Sequence, residues 1–180
     1  DVYKRQMDAL SKVAPKRVLA GAGSPIWCVN ISGTNEKGIP ITGLFFFNGG
    51  MGASAQADGL SCVSWPSNIS STSAEEIENR LPVRILKRAL RKNSGGVGKH
   101  NGGDGQIVEL EYTGVTDGVL AFLADRIKTP AKGLSGGGDG AMGILKINGQ
   151  VIDPKMQHII PPGSLITLAT PGGGGYGTSL

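Results

Sequence analysis

The sequence is poor in the residues from which metal sites and disulfide scaffolds are built. It has two cysteines and two histidines in 180 residues. Cys28 and Cys62 form no CxxC pair, and with only His100 and His158 to join them a zinc site is not favoured. Two cysteines also do not make the disulfide framework of a small secreted domain. We therefore interpret both as small core residues in a reducing cytoplasm.

Long apolar runs and strong charge of one sign are also missing. The longest apolar stretch is a handful of residues around Phe45, too short to span a membrane. The net charge is +4, and Lys and Arg gather mainly at 84–92. No aromatic residues that could stack on bases lie beside this run, so we interpret it as a solvated face. We expect a cytoplasmic protein that binds neither membrane nor nucleic acid.

Glycine is the residue in excess, with 30 copies, or one residue in six where about 7% is usual. No G-X-Y period is present, which excludes collagen. The glycines cluster between short apolar runs, so they predict tight loops between strands. The candidate strands are 17–21, 27–34, 41–50, 83–90, 106–112, 119–125, 144–152 and 164–170.

Individual strands carry further signals. Val108, Leu110 and Tyr112 alternate with two glutamates, which predicts a half-exposed strand. Residues 119–125 are apolar on both faces and predict a strand buried on both sides. Asn148-Gly149 is the preferred pair for a two-residue hairpin turn. These patterns predict a mainly β (α+β) fold, an antiparallel β-sandwich-like structure.

Two short helices complete the expected fold. One is predicted at Met7–Val13 and is ended by Pro15. The other starts at Ser73, where Glu76 three residues later completes a capping box, and Pro82 stops it. The chain has no Met before position 7, so we expect a fragment of a longer reading frame. We predict that residues 1–6 lie outside the fold and that 7–180 form one domain.

Three carboxylates are candidates for acid–base catalysis: Asp58, Glu75 and Glu78. Glu75 and Glu78 are three residues apart and would share a helix face. The alternative is that Glu75 stabilises the helix N-terminus and Glu78 is solvated. The stretch 94–100, "SGGVGKH", lacks the spacing of a Walker A phosphate loop, since Asn93 stands at the first glycine position and His100 replaces Ser or Thr.

Five glycine-rich or polar segments, read together, resemble one family. They occur in the same order and with similar spacing in the C-terminal half of the hydantoinase B/oxoprolinase family, and the likeness runs from about Met7 to Gly177. The closing "TPGGGGYG" is the most distinctive of them. The segments are 49–59, 67–78, 93–112, 133–143 and 170–177.

The resemblance implies an ATP-dependent hydrolase of cyclic amides such as hydantoins and 5-oxoproline. In such enzymes a hydantoinase A-type partner binds ATP with Mg and phosphorylates the substrate, and the B-type part completes the reaction. Relatives carboxylate acetone or acetophenone, with a metal held in the N-terminal half of the B-type part. We therefore expect no metal or cofactor in this region, and no activity from it alone. A component of a ketone carboxylase and a non-catalytic β scaffold remain alternatives.

The resemblance also implies site residues. Besides the three carboxylates, it points to a substrate- or anion-binding set. The reason is that glycine turns expose successive N–H groups that can cradle an anion. The alternative is that the glycines only permit close chain packing. The sequence departs from the family where His100 and Asn101 replace an aromatic residue and an arginine. The set is Asn68, Ser94, Gly95, Gly96, Gly98, Gly172, Gly173, Gly174 and Gly175.

Overall fold

The computed structural model describes residues 2–24 and 26–179 and consists mainly of strands. Two α-helices and one turn of 3-10 helix at Pro15–Arg17 accompany nine strands in this part of the chain. The helices are α1 (Val2–Ser11) and α2 (Ala74–Arg80). The strands are β1 (Trp27–Thr34), β2 (Pro40–Phe47), β3 (Val83–Arg91), β4 (Gly105–Tyr112), β5 (Gly118–Leu123), β6 (Ile144–Ile147), β7 (Gln150–Val151), β8 (His158–Ile160) and β9 (Leu165–Ala169).

The strands form two antiparallel sheets. One has four strands in the order β2-β1-β5-β8, and the other has five in the order β3-β4-β9-β6-β7. Every neighbouring pair is antiparallel. Apolar side chains from both sheets join in one core, and those with no exposed area include Trp27, Val29, Ile31, Phe47, Val108, Leu110, Tyr112, Leu120, Ile160, Ile166 and Leu168. The predicted mainly β, antiparallel sandwich-like fold is confirmed.

The alternating strand and the hairpin were predicted correctly. Val108, Leu110 and Tyr112 are fully buried in β4, while the glutamates between them face solvent in part. In the hairpin β6–β7, Asn148 and Gly149 have φ of 49° and 81°. Two successive positive φ values are the mark of a type I′ turn, for which Asn-Gly is suited.

Helix α2 also follows the sequence signal. The Ser73 hydroxyl oxygen accepts a hydrogen bond from the Glu76 amide at 3.2 Å, as the capping box requires. Ile77 on its inner face and Leu81 just beyond its end reach the core. Helix α1 begins at Val2 rather than Met7 and ends at Ser11. The boundary of the domain at about Met7 stays a prediction.

Two expectations about strands were wrong. Residues 17–21 form no strand; after the 3-10 turn this chain runs extended, and the Gly21 amide donates to the Lys132 carbonyl oxygen outside either sheet. Strand β5 is not buried on both faces, because Leu123 is 73% exposed on the side away from the core. An apolar run on both faces of a strand does not show whether a second layer covers it. Cys28 is buried and Cys62 is partly exposed, and both are free.

Candidate functional site

Most of the glycines lie in one place, which we call the glycine layer. It is formed by six extended segments that are neither helix nor strand over most of their length: 20–24, 48–53, 57–62, 94–104, 131–143 and 170–177. Backbone hydrogen bonds join them, such as Gly23 N to Gly50 O at 2.8 Å and Gly96 N to Gly173 O at 2.8 Å. Segments far apart in sequence therefore meet through their main chains.

The segment Gly172–Gly175 lies at the centre of the layer. Its four successive amides donate to three other segments of the layer, at the carbonyl oxygens of Ala141, Gly103, Gly21 and Gly138, over 2.8–3.1 Å. Gly172 and Gly175, three residues apart, donate to the same segment, 131–143, and the two residues between them donate to two others. This is the pattern of an extended helix of three residues per turn with its hydrogen bonds directed outward. Four consecutive glycines are needed because backbone atoms of other segments lie where the Cβ atom of each residue would be.

Side chains have no room between these segments. A Cβ atom on Gly173 would lie 2.8 Å from the Gly52 nitrogen and closer still to the Met51 carbonyl. A Cβ on Gly50 would lie 2.7 Å from the Gly173 nitrogen. These neighbours are backbone atoms that cannot rotate away, so glycine here serves close approach of main chains.

This packing bears on the predicted anion-binding set. The amides of Gly96, Gly172, Gly173, Gly174 and Gly175 all donate to carbonyl oxygens within the layer, and Gly98 donates to the Asn101 side chain at 3.1 Å. An external anion would have to replace these hydrogen bonds. The anion-binding role of these glycines stays a prediction, and the close-packing alternative accounts for their geometry.

One pair of successive amides does bind an anion, and this anion is a side chain of the protein itself, the Asp104 carboxylate. The amides of Ser94 and Gly95 both donate to Asp104 Oδ1 at 2.8 Å. The Ser94 hydroxyl lies 3.3 Å from the same oxygen and accepts the Gly105 amide at 2.9 Å. Successive N–H groups without a blocking side chain do bind a carboxylate here. In the sequence Asp104-Gly105 signals only a turn, and its spacing from Ser94 did not indicate this role.

A cation near this carboxylate ties β3 to the layer. Arg91 Nη1 donates to the carbonyl oxygens of Met142 at 2.8 Å and Thr170 at 3.0 Å. Burial lowers the pKa of Arg91, and the nearby Asp104 carboxylate opposes that shift. The two hydrogen bonds of Arg91 fix the end of β3 against the segments 131–143 and 170–177 of the layer.

Asp58 is the predicted catalytic residue that the structure places beside another titratable group. Its Oδ1 accepts the Asn101 amide at 2.8 Å and lies 3.5 Å from His100 Nδ1. The side chains of Asp58 and His100 are 65% and 22% exposed. His100 is itself held by reciprocal backbone hydrogen bonds with Tyr176, at 3.0 and 2.8 Å. A carboxylate that orients an imidazole on a rigid backbone can support proton transfer.

The other predicted residues lie elsewhere. Glu75 stands exposed in the first turn of α2, where hydrogen bonds from its own backbone amide and from the Ser73 hydroxyl lower its pKa. Glu78 Oε1 accepts the Ile85 amide at 2.6 Å and so fixes the start of β3. Asn68 is exposed with a φ of 52°. Glu75 thus makes its contacts within the first turn of α2, and Glu78, which the alternative interpretation took to be solvated, instead holds the start of β3. The catalytic role of both residues stays a prediction.

The described residues offer neither a metal cluster nor a membrane span. In ranges 2–24 and 26–179, no three His, Cys, Asp or Glu side chains are grouped so that they could hold a metal ion. No helix in the same ranges has the length and apolar character needed to cross a membrane.

Comparison with known proteins identifies the family. The model of the family Hydantoinase B/oxoprolinase matches residues 2–179. The chain belongs to this family. The resemblance read from the glycine-rich segments is thereby confirmed. Those segments supply most of the glycine layer. The sequence features typical of the family therefore lie in this layer and not in the apolar core.

Two relatives illustrate the range of the hydantoinase B/oxoprolinase family. The chain is 31% identical over 182 residues to the B-type subunit of a putative D-/L-hydantoinase of Pseudomonas sp. (strain NS671), covering 97% of this chain and 30% of that protein. It is 35% identical over 138 residues to 5-oxoprolinase 1 of Arabidopsis thaliana, covering 73% of this chain and 11% of that protein. The chain thus spans less than a third of either relative.

Solved structures show the same fold. An ATP-dependent caprolactamase from Pseudomonas jessenii superposes with a TM-score of 0.70 at 25% identity, over 94% of this chain and 32% of that one. A nucleotide-free acetone carboxylase superposes with a TM-score of 0.75 at 21% identity, over 93% of this chain and 28% of that one. At that identity the carboxylase shows the fold alone.

Proposed function

We propose that this chain works as part of a hydantoinase B-type protein that hydrolyses cyclic amides, such as hydantoins or 5-oxoproline, at the expense of ATP. The observation that supports this is the match to a relative named as the B-type component of a hydantoinase, which covers 97% of the chain. The similarity to 5-oxoprolinase 1 and to an ATP-dependent caprolactamase favours the same chemistry. Hydantoin, 5-oxoproline and caprolactam are all cyclic amides.

ATP has a definite use in this chemistry. Amide resonance makes the ring carbonyl a poor electrophile, and phosphoryl transfer to its oxygen would remove that resonance and create a leaving group. We place ATP and Mg on a hydantoinase A-type partner. A divalent metal, where one is used, would be held by the part of the B-type protein that this chain does not span. The 180-residue chain alone is then inactive.

Within this chain we assign acid–base work to the pair Asp58–His100. The pair is accessible, and backbone hydrogen bonds fix both partners. The distance of 3.5 Å between Asp58 Oδ1 and His100 Nδ1 lets the carboxylate orient the imidazole. His100 would take up or deliver a proton as water attacks the activated intermediate. Glu75 and Glu78 have a lesser claim, because each already stabilises α2 or β3.

The test is turnover by the full-length protein that contains this chain, purified with its A-type partner. We expect ATP-dependent ring opening of 5-oxoproline or hydantoin. Asp58→Asn should lower kcat by about 10²-fold, the lower end for loss of a positioned acid–base group. Asp117→Asn, an exposed carboxamide substitution in the β4–β5 turn, is the matched control and should leave kcat unchanged.

Other outcomes would redirect the assignment. Turnover only with bicarbonate and acetone would move the protein to the carboxylase alternative. No turnover with any of these substrates would favour the non-catalytic scaffold. Full activity of Asp58→Asn with ring opening intact would refute the role of the pair while leaving the proposed reaction in place.

A further inference from the structure

The loop 98–101, which carries His100 beside Asp58, is closed by the side chain of Asn101. Asn101 Oδ1 accepts the Gly98 amide at 3.1 Å. Asn side chains close turns in this way because their oxygen takes the place of a backbone acceptor. Asn101 is exposed, so this hydrogen bond and not burial holds its side chain in place.

The backbone of Asn101 holds the carboxylate of the Asp58–His100 pair. The Asn101 amide donates to Asp58 Oδ1 at 2.8 Å, and the Asn101 carbonyl oxygen accepts the Gly59 amide at 2.8 Å. Asp58 and the residue after it are therefore both bound to one residue of the loop. Because the Asp58 side chain is 65% exposed, these hydrogen bonds determine where its carboxylate lies.

One peptide unit connects the two members of the pair. The carbonyl oxygen of the peptide between His100 and Asn101 accepts the Tyr176 amide at 2.8 Å, and the N–H of the same peptide donates to Asp58. Gly98 packs against this peptide, since a Cβ atom on Gly98 would lie 3.0 Å from the His100 carbonyl oxygen. Rotation of the peptide would break both hydrogen bonds, so its orientation decides whether Asp58 faces His100.

The geometry also distinguishes the two ring nitrogens of His100. Nδ1 is the nitrogen that lies 3.5 Å from Asp58 Oδ1. A carboxylate beside one ring nitrogen favours the tautomer in which that nitrogen carries the proton. Nε2 is then unprotonated in the neutral ring and can accept a proton, as a general base must.

We propose that Asn101 is a positioning residue for the Asp58–His100 pair. Its side chain binds the Gly98 amide and closes the loop, and the closed loop directs the Asn101 amide at Asp58 Oδ1. Asp58 then keeps the proton of His100 on Nδ1, which leaves Nε2 for proton exchange with the reacting groups. This inference rests on the proposed function, and it adds to that function the residue that aligns the two groups.

The kinetic test measures kcat and KM for ATP-dependent ring opening by the full-length protein with its A-type partner. Asn101→Ala should lower kcat about tenfold and leave KM unchanged, a smaller loss than for Asp58→Asn, because the carboxylate is displaced and not neutralised. Asn101→Asp keeps an oxygen that can accept the Gly98 amide, and its kcat should stay within about twofold of the wild type.

Asn35→Ala is the matched control. Asn35 Oδ1 also closes an exposed turn, by accepting the amides of Lys37 and Ile39 at 3.0 and 2.9 Å. This turn joins β1 to β2 and has no contact with Asp58 or His100 among the hydrogen bonds of the described residues. Asn35→Ala should therefore leave kcat unchanged.

A double variant separates positioning from a general effect on the fold. If Asn101 acts through Asp58, D58N/N101A should be no slower than D58N, because the interaction that Asn101 supports is already lost. A further loss of about tenfold in D58N/N101A would show that Asn101 acts independently of Asp58 and would overturn the proposal. Wild-type kcat in Asn101→Ala would overturn it as well, and both results leave the ring-opening reaction in place.

Crystal structures of the full-length variants test the geometry without turnover, so they remain decisive if the proposed reaction is wrong. The separation of Asp58 Oδ1 and His100 Nδ1 is 3.5 Å and should be kept in Asn101→Asp. In Asn101→Ala it should exceed about 4 Å, the limit of an ion pair. An unchanged separation in Asn101→Ala would show that the side chain of Asn101 does not position the pair, whatever the substrate.

Discussion

Substitution of Gly173 by alanine tests whether the glycine layer is held together by backbone contact. The new Cβ would lie 2.8 Å from the Gly52 nitrogen and closer to the Met51 carbonyl. Relief requires the segments 48–53 and 170–177 to separate. The hydrogen bonds Gly96 N–Gly173 O and Gly173 N–Gly103 O, at 2.8 and 2.9 Å, adjoin the point of contact and would be strained or lost.

The magnitude follows from these two effects. Overpacking a closely packed interior costs about 1–3 kcal/mol, and each lost backbone hydrogen bond costs about 1 kcal/mol net. Gly173→Ala should therefore lower the free energy of unfolding by roughly 3–5 kcal/mol, a large part of the ~5–15 kcal/mol that stabilises a typical domain.

Gly38→Ala is the matched control. Gly38 has a φ of 73° and no atom within 4 Å of its added Cβ, so only the cost of a left-handed backbone, about 1–2 kcal/mol, applies. Urea unfolding followed by tryptophan fluorescence measures both variants. If Gly173→Ala lost no more stability than Gly38→Ala, the claim that the layer needs glycine for close approach would be refuted.

Two further predictions concern carboxylates bound by backbone amides. Asp104→Asn keeps an acceptor for the amides of Ser94 and Gly95 but removes the charge, and should cost about 1–2 kcal/mol in the same urea assay, since charge-assisted hydrogen bonds are the stronger ones; an unchanged midpoint would contradict the assignment. Hydrogen bonds from Lys132 and the Gly133 amide lower the pKa of Asp139. The ionised Asp139 therefore stabilises the fold in full above the ordinary pKa of aspartate, and this stabilisation is lost as the pH falls through the lowered pKa of the folded state. Asp139→Asn should therefore flatten the decline of stability at acid pH, and an unaltered pH profile would argue against it.

The sheets were predictable because their signals are local. Alternation in β4, the Asn148-Gly149 turn and the Ser73 cap each depend on residues that are close together in the sequence. Predicted strand 27–34 agrees with β1, Trp27–Thr34. The exposure of Leu123 was not predictable in this way, because it depends on whether another layer covers β5.

The sequence shows where the glycines of the layer cluster, but it does not show what they are for. Clusters of glycine signal unusual backbone, yet the same clusters suit an anion site or close packing of chains. Only the partners of each amide distinguish the two, and those partners come from segments as distant as Gly21 and Gly174. The pairing of Asp58 with His100 and the filling of the Ser94–Gly95 cradle by Asp104 likewise depend on contacts that no spacing rule encodes.

The glycine layer shows that a region without regular secondary structure can still be rigid. Spectroscopic measures of helix and strand content would count most of it as coil, since only isolated bridges such as His100–Tyr176 interrupt it. The four amides of Gly172–Gly175 nevertheless all donate to backbone carbonyl oxygens of neighbouring segments, and these residues are buried. Hydrogen exchange should therefore find some of the slowest amides of the molecule in a stretch that circular dichroism reports as unstructured.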